Sequence, residues 1–364
     1  MARKVQVTNL QANTKDIVNT IRENASPLYR DRIPVVETEA DLLKVGDYLM
    51  GYPALANEFV SALVNRIAFV NVKSATFNNA YAKFKKGYLE FGETVEEVFV
   101  NIAKAREFSA EKAAAREFQR SLPDVRTAFH VINWKVQYPI TIENEDLRMA
   151  FMSFSGVEDL IAKIVDSVTT ANEYDEYLLF KYLLIKGVNR GEIYKQDVTV
   201  TDVKDMAVAF RGTSNLLTFM QTKYNMEHVH TSTPRSEQYI LMDAAFNAEF
   251  DVNVLASAFN MDKADFIGRL ELIDDFTTFD NARFDVIRQN SGQLEEVTSA
   301  ELAAMANIKA ILIDPEWFQV YDNLGVMTEK YIANGLYWNY FYTSWKTVSS
   351  SPFSNAVAFN AVTE

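Results

Sequence analysis

Gly335-Leu336-Tyr337-Trp338-Asn339-Tyr340-Phe341-Tyr342-Thr343-Ser344-Trp345 places six aromatic rings in nine consecutive positions of a 364-residue chain. Side chains on a strand alternate between faces, so Tyr337, Phe341 and Trp345 fall on one side and Trp338, Tyr340 and Tyr342 on the other. Both faces then need cover. At about 150–250 Å² per ring the six bury roughly 900–1,500 Å², a gross transfer term on the order of 20–35 kcal/mol and an upper bound. None of these groups suits general acid or base work, so the stretch is structural and closes a fold or an assembly.

Upstream, Val157, Leu160, Ile161, Ile164, Val165, Val168, Ala171, Tyr174, Leu178, Tyr182 and Ile185 recur every three or four residues between Gly156 and Gly187. That spacing predicts one helix. Glu158 and Asp159 at its start and Lys186 at its end suit the macrodipole. About 30 residues at 1.5 Å each make a rod of roughly 45 Å. Before it, residues 104–120 read as a short polar helix and Phe129–Ile142 as a strand. After it, residues 191–334 mix strand-like Tyr239–Met242 and Ala310–Ile313 with helical Val252–Phe259 and Glu316–Asn323. The alternation predicts an α/β sub-domain.

Residues 1–65 combine a helical stretch, Thr14–Asn24, with an extended piece punctuated by Pro27, Pro34 and Pro53, and read as an arm lying on something else. Arg66–Val72 and Thr94–Ile102 are strand-like and enclose Phe84-Lys85-Lys86-Gly87 and Phe91-Gly92. This predicts a hairpin over residues 66–103 with the lysines at an exposed tip. Arms of about 15 residues would make it roughly 50 Å long, as long as a compact globule of this size is wide. A two-stranded ribbon of that length is marginal alone and needs cover from another subunit.

The absence of cysteine removes disulfides and thiolate chemistry. The start, Met1-Ala2-Arg3-Lys4-Val5-Gln6, lacks a secretory apolar run, and the strongest apolar stretch, Tyr177–Ile185, is short and interrupted by Lys181. The chain is therefore expected to stay soluble, off membranes and unexported. Net charge is −1 over residues 1–65, +4 over 66–135 and −16 over 136–364. The last value disfavours a dedicated nucleic-acid reader. Gly187-Val188-Asn189-Arg190-Gly191 matches no phosphate loop, and no Gly-x-Ser-x-Gly elbow occurs. His228 and His230 would share a strand face, as metal ligands sometimes do, but no third ligand is evident. Asp314-Pro315-Glu316-Trp317 reads first as a helix cap. A soluble acidic α/β hydrolase using Asp314 or the His228/His230 pair is the competing reading. No catalytic residue, metal or cofactor is expected.

In order, the arm, hairpin, strand, spine-like helix, α/β unit and returning aromatic strand resemble the major capsid proteins of tailed bacteriophages with the HK97-like fold. Tyr337–Trp345, with Ser351-Pro352-Phe353-Ser354-Asn355-Ala356-Val357-Ala358-Phe359, looks like the C-terminal end of major head proteins of small short-tailed phages. The resemblance implies an α+β fold: an N-terminal arm (1–65), an extended loop (66–103), a peripheral domain with the spine helix (104–190), an axial domain (191–334) and a C-terminal strand returning to the peripheral domain (335–364). Some relatives carry an N-terminal scaffolding segment or a C-terminal decoration domain, and neither is expected in this sequence. The resemblance implies a structural subunit forming hexamers and pentamers of an icosahedral shell around double-stranded DNA bound without sequence specificity. Portal and scaffold proteins are implied partners, in a virion assembled in the host cytoplasm. The expected inter-subunit contacts are Phe84, Lys85, Lys86, Gly87, Phe91, Tyr337, Trp338, Tyr340, Phe341 and Trp345. Lys85 or Lys86 with Asn355 would be the partners of a covalent cross-link of the kind some relatives form.

Overall fold

The computed structural model describes residues 14–59, 62, 77, 79–90, 94–143, 156–250 and 269–362. The strand-like 66–72, the helical 252–259 and Phe91 lie outside them. The chain divides into two compact units. One comprises residues 1–78, 136–174 and 325–344, the other 79–135, 175–324 and 345–364.

In the first unit the described part of the arm is largely helical, where the sequence predicts an extended piece after residue 24. Helix α1 (Thr14–Asn24) is followed by α2 (Pro27–Arg32) and α3 (Glu39–Gly51). Pro27 opens α2 instead of breaking it, because a first-turn residue has no intrahelical acceptor for the N–H that proline lacks. Ser26 caps that helix, and Thr38 with Asp41 forms a capping box on α3. Asn19 holds the link between them by bonding the Val36 carbonyl (2.9 Å) and the Val36 N–H (2.8 Å). The helices cover something after all: Val18, Ile21, Tyr29, Ile33, Val36, Leu42, Val45 and Leu49 pack in one core with Ile142, Trp338 and Tyr340. Trp338 and Tyr340 of the aromatic strand thus take their cover in part from the arm.

The strands are β1 (Gly87–Tyr88), β2 (Val95–Val100), β3 (Val125–His130), β4 (Ile132–Glu143), β5 (Tyr194–Thr199), β6 (Tyr239–Asp243), β7 (Leu270–Ile273), β8 (Ile308–Ile313), β9 (Phe318–Ile332), β10 (Tyr337–Ser350) and β11 (Ala356–Val362). One sheet runs β1-β9-β10-β4. Thr141 bonds Asn339 (2.7 Å) and Gln137 bonds Thr343 (3.2 Å), a pairing that advances in opposite directions along β4 and β10, as in antiparallel neighbours. The second unit carries a five-stranded sheet, β5-β11-β8-β6-β7. The Ala356–Phe359 run is buried throughout, and accordingly β11 sits inside this sheet, parallel to β5 and antiparallel to β8. The end of the chain therefore completes the α/β sheet, and only β10 lies with β4 and β9. A helix, Val203–Leu217, covers one side through Met206, Phe210 and Leu217 against Val198 and Phe359.

The spine is one helix, Gly156–Arg190, 35 residues long, or about 52 Å at 1.5 Å per residue. Gly187 lies within it instead of ending it: a Cβ there would stand 2.9 Å from Cζ2 of Trp317 and 3.0 Å from Cδ1 of Ile193. The predicted helix at Glu316–Asn323 is a single 3-10 turn, Pro315–Trp317, that leads into β9. The cap signals start the turn, and the β-type run Phe318-Gln319-Val320-Tyr321 takes the chain over. Gly187→Ala is expected to overpack the Trp317 indole and lower stability by about 1–3 kcal/mol, read as a fall in the unfolding midpoint; an unchanged midpoint would show that the contact yields freely.

Candidate assembly surface

Where the sequence predicts a hairpin over residues 66–103, the described residues show a two-stranded ribbon that β2 forms with a different strand. Strand β2 pairs antiparallel with β3, from Val95 opposite His130 to Val100 opposite Val125, and residues 101–124 form the far end. The 66–72 segment expected to pair with β2 is outside the described residues. Since directly opposed residues share a face, Val95–His130, Glu97–Ala128 and Phe99–Arg126 point one way, and Glu96–Phe129, Val98–Thr127 and Val100–Val125 the other.

The first face is tied down. Phe99 stacks on Phe353 at 5.4 Å between centroids. Arg126 donates to the Glu227 carboxylate (2.7 Å) and carbonyl (2.5 Å). The buried His130 ring lies between Glu97 (3.3 Å) and the Ser349 hydroxyl (2.7 Å), and Ser351 donates to Glu97 at 2.7 Å. The second face is open: Val98, Val100, Val125 and Phe129 are exposed, and Ile102 continues them. Beyond it Phe108, Phe118 and Leu122 are 89%, 94% and 83% exposed, flanking a short helix, Ala110–Ala115. Large apolar side chains left exposed in this number mark an interaction site.

The residues predicted at the tip lie elsewhere. Phe84 is buried against Tyr239 (5.1 Å) and Phe318 (5.2 Å). Lys85 bridges Glu176 (3.1 Å) and Asp322 (2.6 Å), and Lys86 pairs with Glu316 (2.5 Å). Gly87 takes φ +119°, a conformation open to glycine, where β1 joins the edge of β9 beside Tyr321. These lysines are anchored because carboxylates 90 and more residues away face them, which no local pattern reveals. On β10, Trp338 and Tyr340 are core residues, while Tyr337, Phe341 and Trp345 are half-buried. Lys135 lies 4.7 Å over the Trp345 ring.

Lys85 belongs to a charge quartet. Lys346, almost fully buried, also contacts Glu176 and Asp322, the latter at 2.8 Å. Burial works against the Lys346 ammonium, yet Glu176 and Asp322 outweigh it and hold its pKa above the ordinary lysine value. Burial likewise opposes the Asp322 carboxylate, and Lys346 and Lys85 outweigh it and hold it below the usual range. Further ion pairs follow along the spine helix: Arg283 with Asp175, Lys181 with Asp274 (2.7 Å) and Lys186 with Glu301 (2.7 Å).

The would-be catalytic groups are occupied structurally. Asp314 caps the 3-10 turn through the Glu316 N–H (2.9 Å) and accepts from Thr233 (2.8 Å); burial pushes its pKa up. His228 has φ +51° and so breaks the strand alternation that would have put two rings on one face. It contacts the Thr222 carbonyl, while His230 contacts Asn101. Asn355 is buried and engaged by Asn225, Thr231 and Thr233. No cluster of metal-ligating side chains occurs among the described residues, and no described helix is long and apolar enough to cross a membrane.

Solved phage shells share this architecture. The capsid of Staphylococcus phage Andhra matches with a TM-score of 0.61 at 14% identity, over 81% of this chain and 88% of that one. The capsid of cyanophage P-SCSP1u gives 0.52 at 8%, over 81% and 92%. The molecule thus has an HK97-like α+β fold. The chain belongs to the Phi29-like phage major capsid protein family, whose description matches residues 18–360. The major capsid protein of Bacillus phage B103 is 35% identical over 351 residues, 94% of this chain and 72% of that protein. That of Bacillus phage GA-1 is 33% identical over 352 residues, 94% of this chain and 68% of that protein. The hydrolase reading finds no support in this family.

Replacing Lys346 by Met leaves the quartet one cation short, and the expected loss is on the order of 3–5 kcal/mol in chemical denaturation. An unfolded aspartate titrates near pH 3.9, above the depressed value of folded Asp322, so its contribution is complete above about pH 4 and is lost as pH falls through the folded pKa. Lys346→Met should raise that folded pKa and flatten the acid-side decline in stability. An acid profile parallel to that of the parent would refute the coupling.

Proposed function

We propose that copies of this chain assemble as hexamers and pentamers of an icosahedral head enclosing double-stranded DNA, each ribbon lying over the neighbouring subunit. The observation that carries this reading is the ribbon's geometry, with one face fastened to its own body and the other apolar and wet. The half-buried Tyr337 and Phe341 of β10 are further contact residues, while Phe84, Lys85, Lys86 and Gly87 brace β9 within the subunit. The +4 segment 66–135 and the −16 segment 136–364 add a salt-sensitive attraction between copies. DNA is enclosed without sequence readout, as the acidic balance requires. A portal and a scaffold protein complete the head, which is built in the host cytoplasm.

Substituting Ser for Phe108, Phe118 and Leu122 together removes apolar surface without touching the fastened face. Particles of megadalton mass should disappear from light scattering and electron micrographs, while the subunit keeps its unfolding midpoint within about 2–4 °C, since exposed changes shift stability little. Undiminished particle formation would contradict the ribbon's role.

A further inference from the structure

We infer that the base of the ribbon is a proton-dependent latch, in which the charged His130 ring holds β2 and β3 against the body and the neutral ring loosens them. All of its parts lie within the second unit, so the latch operates in a free subunit, whatever the mode of assembly.

The proton count around the ring carries the inference. Glu97 lies 3.3 Å from Nε2, and its other oxygen already accepts from the Ser351 hydroxyl at 2.7 Å. A carboxylate only accepts, so Nε2 carries a proton. Nδ1 stands 2.7 Å from the Ser349 hydroxyl, which also reaches the Gln319 carbonyl at 3.3 Å. That hydroxyl has a single proton for both contacts. On a neutral ring Nδ1 is bare and takes it, and the Gln319 contact goes unfilled. On a charged ring Nδ1 donates to the Ser349 oxygen, and the hydroxyl proton is free for Gln319. Only the cation fills every contact, and Glu97 supplies the counter-charge that a ring 3% exposed requires.

Glu97 on β2 is the charged group facing the ring among the described residues. On β10 and β9 the ring's partners are the Ser349 hydroxyl and, through it, the Gln319 main chain, neither of which titrates. Tyr321 of β9 is near Glu97, but burial, with Glu97 and Glu316, pushes its hydroxyl pKa up and keeps it neutral. Arg126, on the same face of β3, is committed to Glu227 at 2.7 Å. Histidine is the side chain whose charge ordinarily changes between about pH 5 and 8, and the chain has no cysteine to share that role. Fastening is therefore strongest at the acid end of that range and weakens as pH rises. His230 meets Asn101 just past β2 at 3.1 Å, and substitution at 130 alone separates the two histidines.

Hydrogen exchange on the unassembled full-length chain tests the latch. Dividing the exchange rates of amides in β2 and β3 by those of the buried strands β6 and β8 cancels the intrinsic effect of pH. That ratio should rise about tenfold between about pH 5.5 and 8.5. In His130→Gln, whose side chain keeps a donor and an acceptor but no charge, the ratio should be high already at the acid end and stay flat. A pH-independent ratio in the unaltered chain overturns the inference. So does a His130→Gln profile that rises in parallel with it, since another group would then be responsible. If His130→Gln does not fold, Glu97→Gln removes the counter-charge from the other side and should flatten the profile in the same way; an unchanged slope there overturns the latch.

Discussion

A two-stranded ribbon has only two faces, and here they are chemically opposite. Phe99, Arg126, His130 and Glu97 fasten one face to Phe353, Glu227, Ser349 and Ser351. The other presents Val98, Val100, Val125 and Phe129 to water. Fastening fixes where the ribbon points, so the apolar face is presented as a rigid surface and little ordering cost remains when it is covered. Without the anchors the same residues would collapse onto the nearest apolar surface of their own chain.

The body that holds the ribbon is organised around charge as much as around apolar packing. Along the spine helix Asp175, Glu176, Lys181 and Lys186 are all buried, and each meets a partner from a distant part of the chain. Buried charges contribute little net stability when paired and cost much when stranded. A slip of the helix by one turn would strand all four. Lys85 and Lys86 take part in this arrangement, which is why the segment between the arm and the ribbon is seated against β9 instead of projecting.

Features governed by local periodicity were readable in the residues: the spine helix, the aromatic strand, and the Asp314 cap with its Pro315. Those that depend on a distant partner were not. Pro27, Pro34 and Pro53 suggest an extended arm, yet capping at Ser26 and Thr38 and the core around Trp338 make it helical. The pairing of Val95–Val100 with Val125–His130 is hidden because Phe129 reads as the start of the following strand, although Val125, Thr127 and Phe129 alternate on one face. Lys85-Lys86-Gly87 has the composition of an exposed turn, and only the acidic residues at 176, 316 and 322 say otherwise. The exposed Phe108, Phe118 and Leu122 sit in a stretch that composition marks as polar, so the strongest assembly signal was diluted by its charged neighbours.

The most direct test is a cryo-electron microscopy reconstruction of assembled particles at side-chain resolution. Val98, Val100, Val125 and Phe129 should lie in van der Waals contact with a neighbouring copy, with Phe108, Phe118 and Leu122 likewise covered. A shell in which this face looks into solvent, held together through other surfaces, would contradict the account.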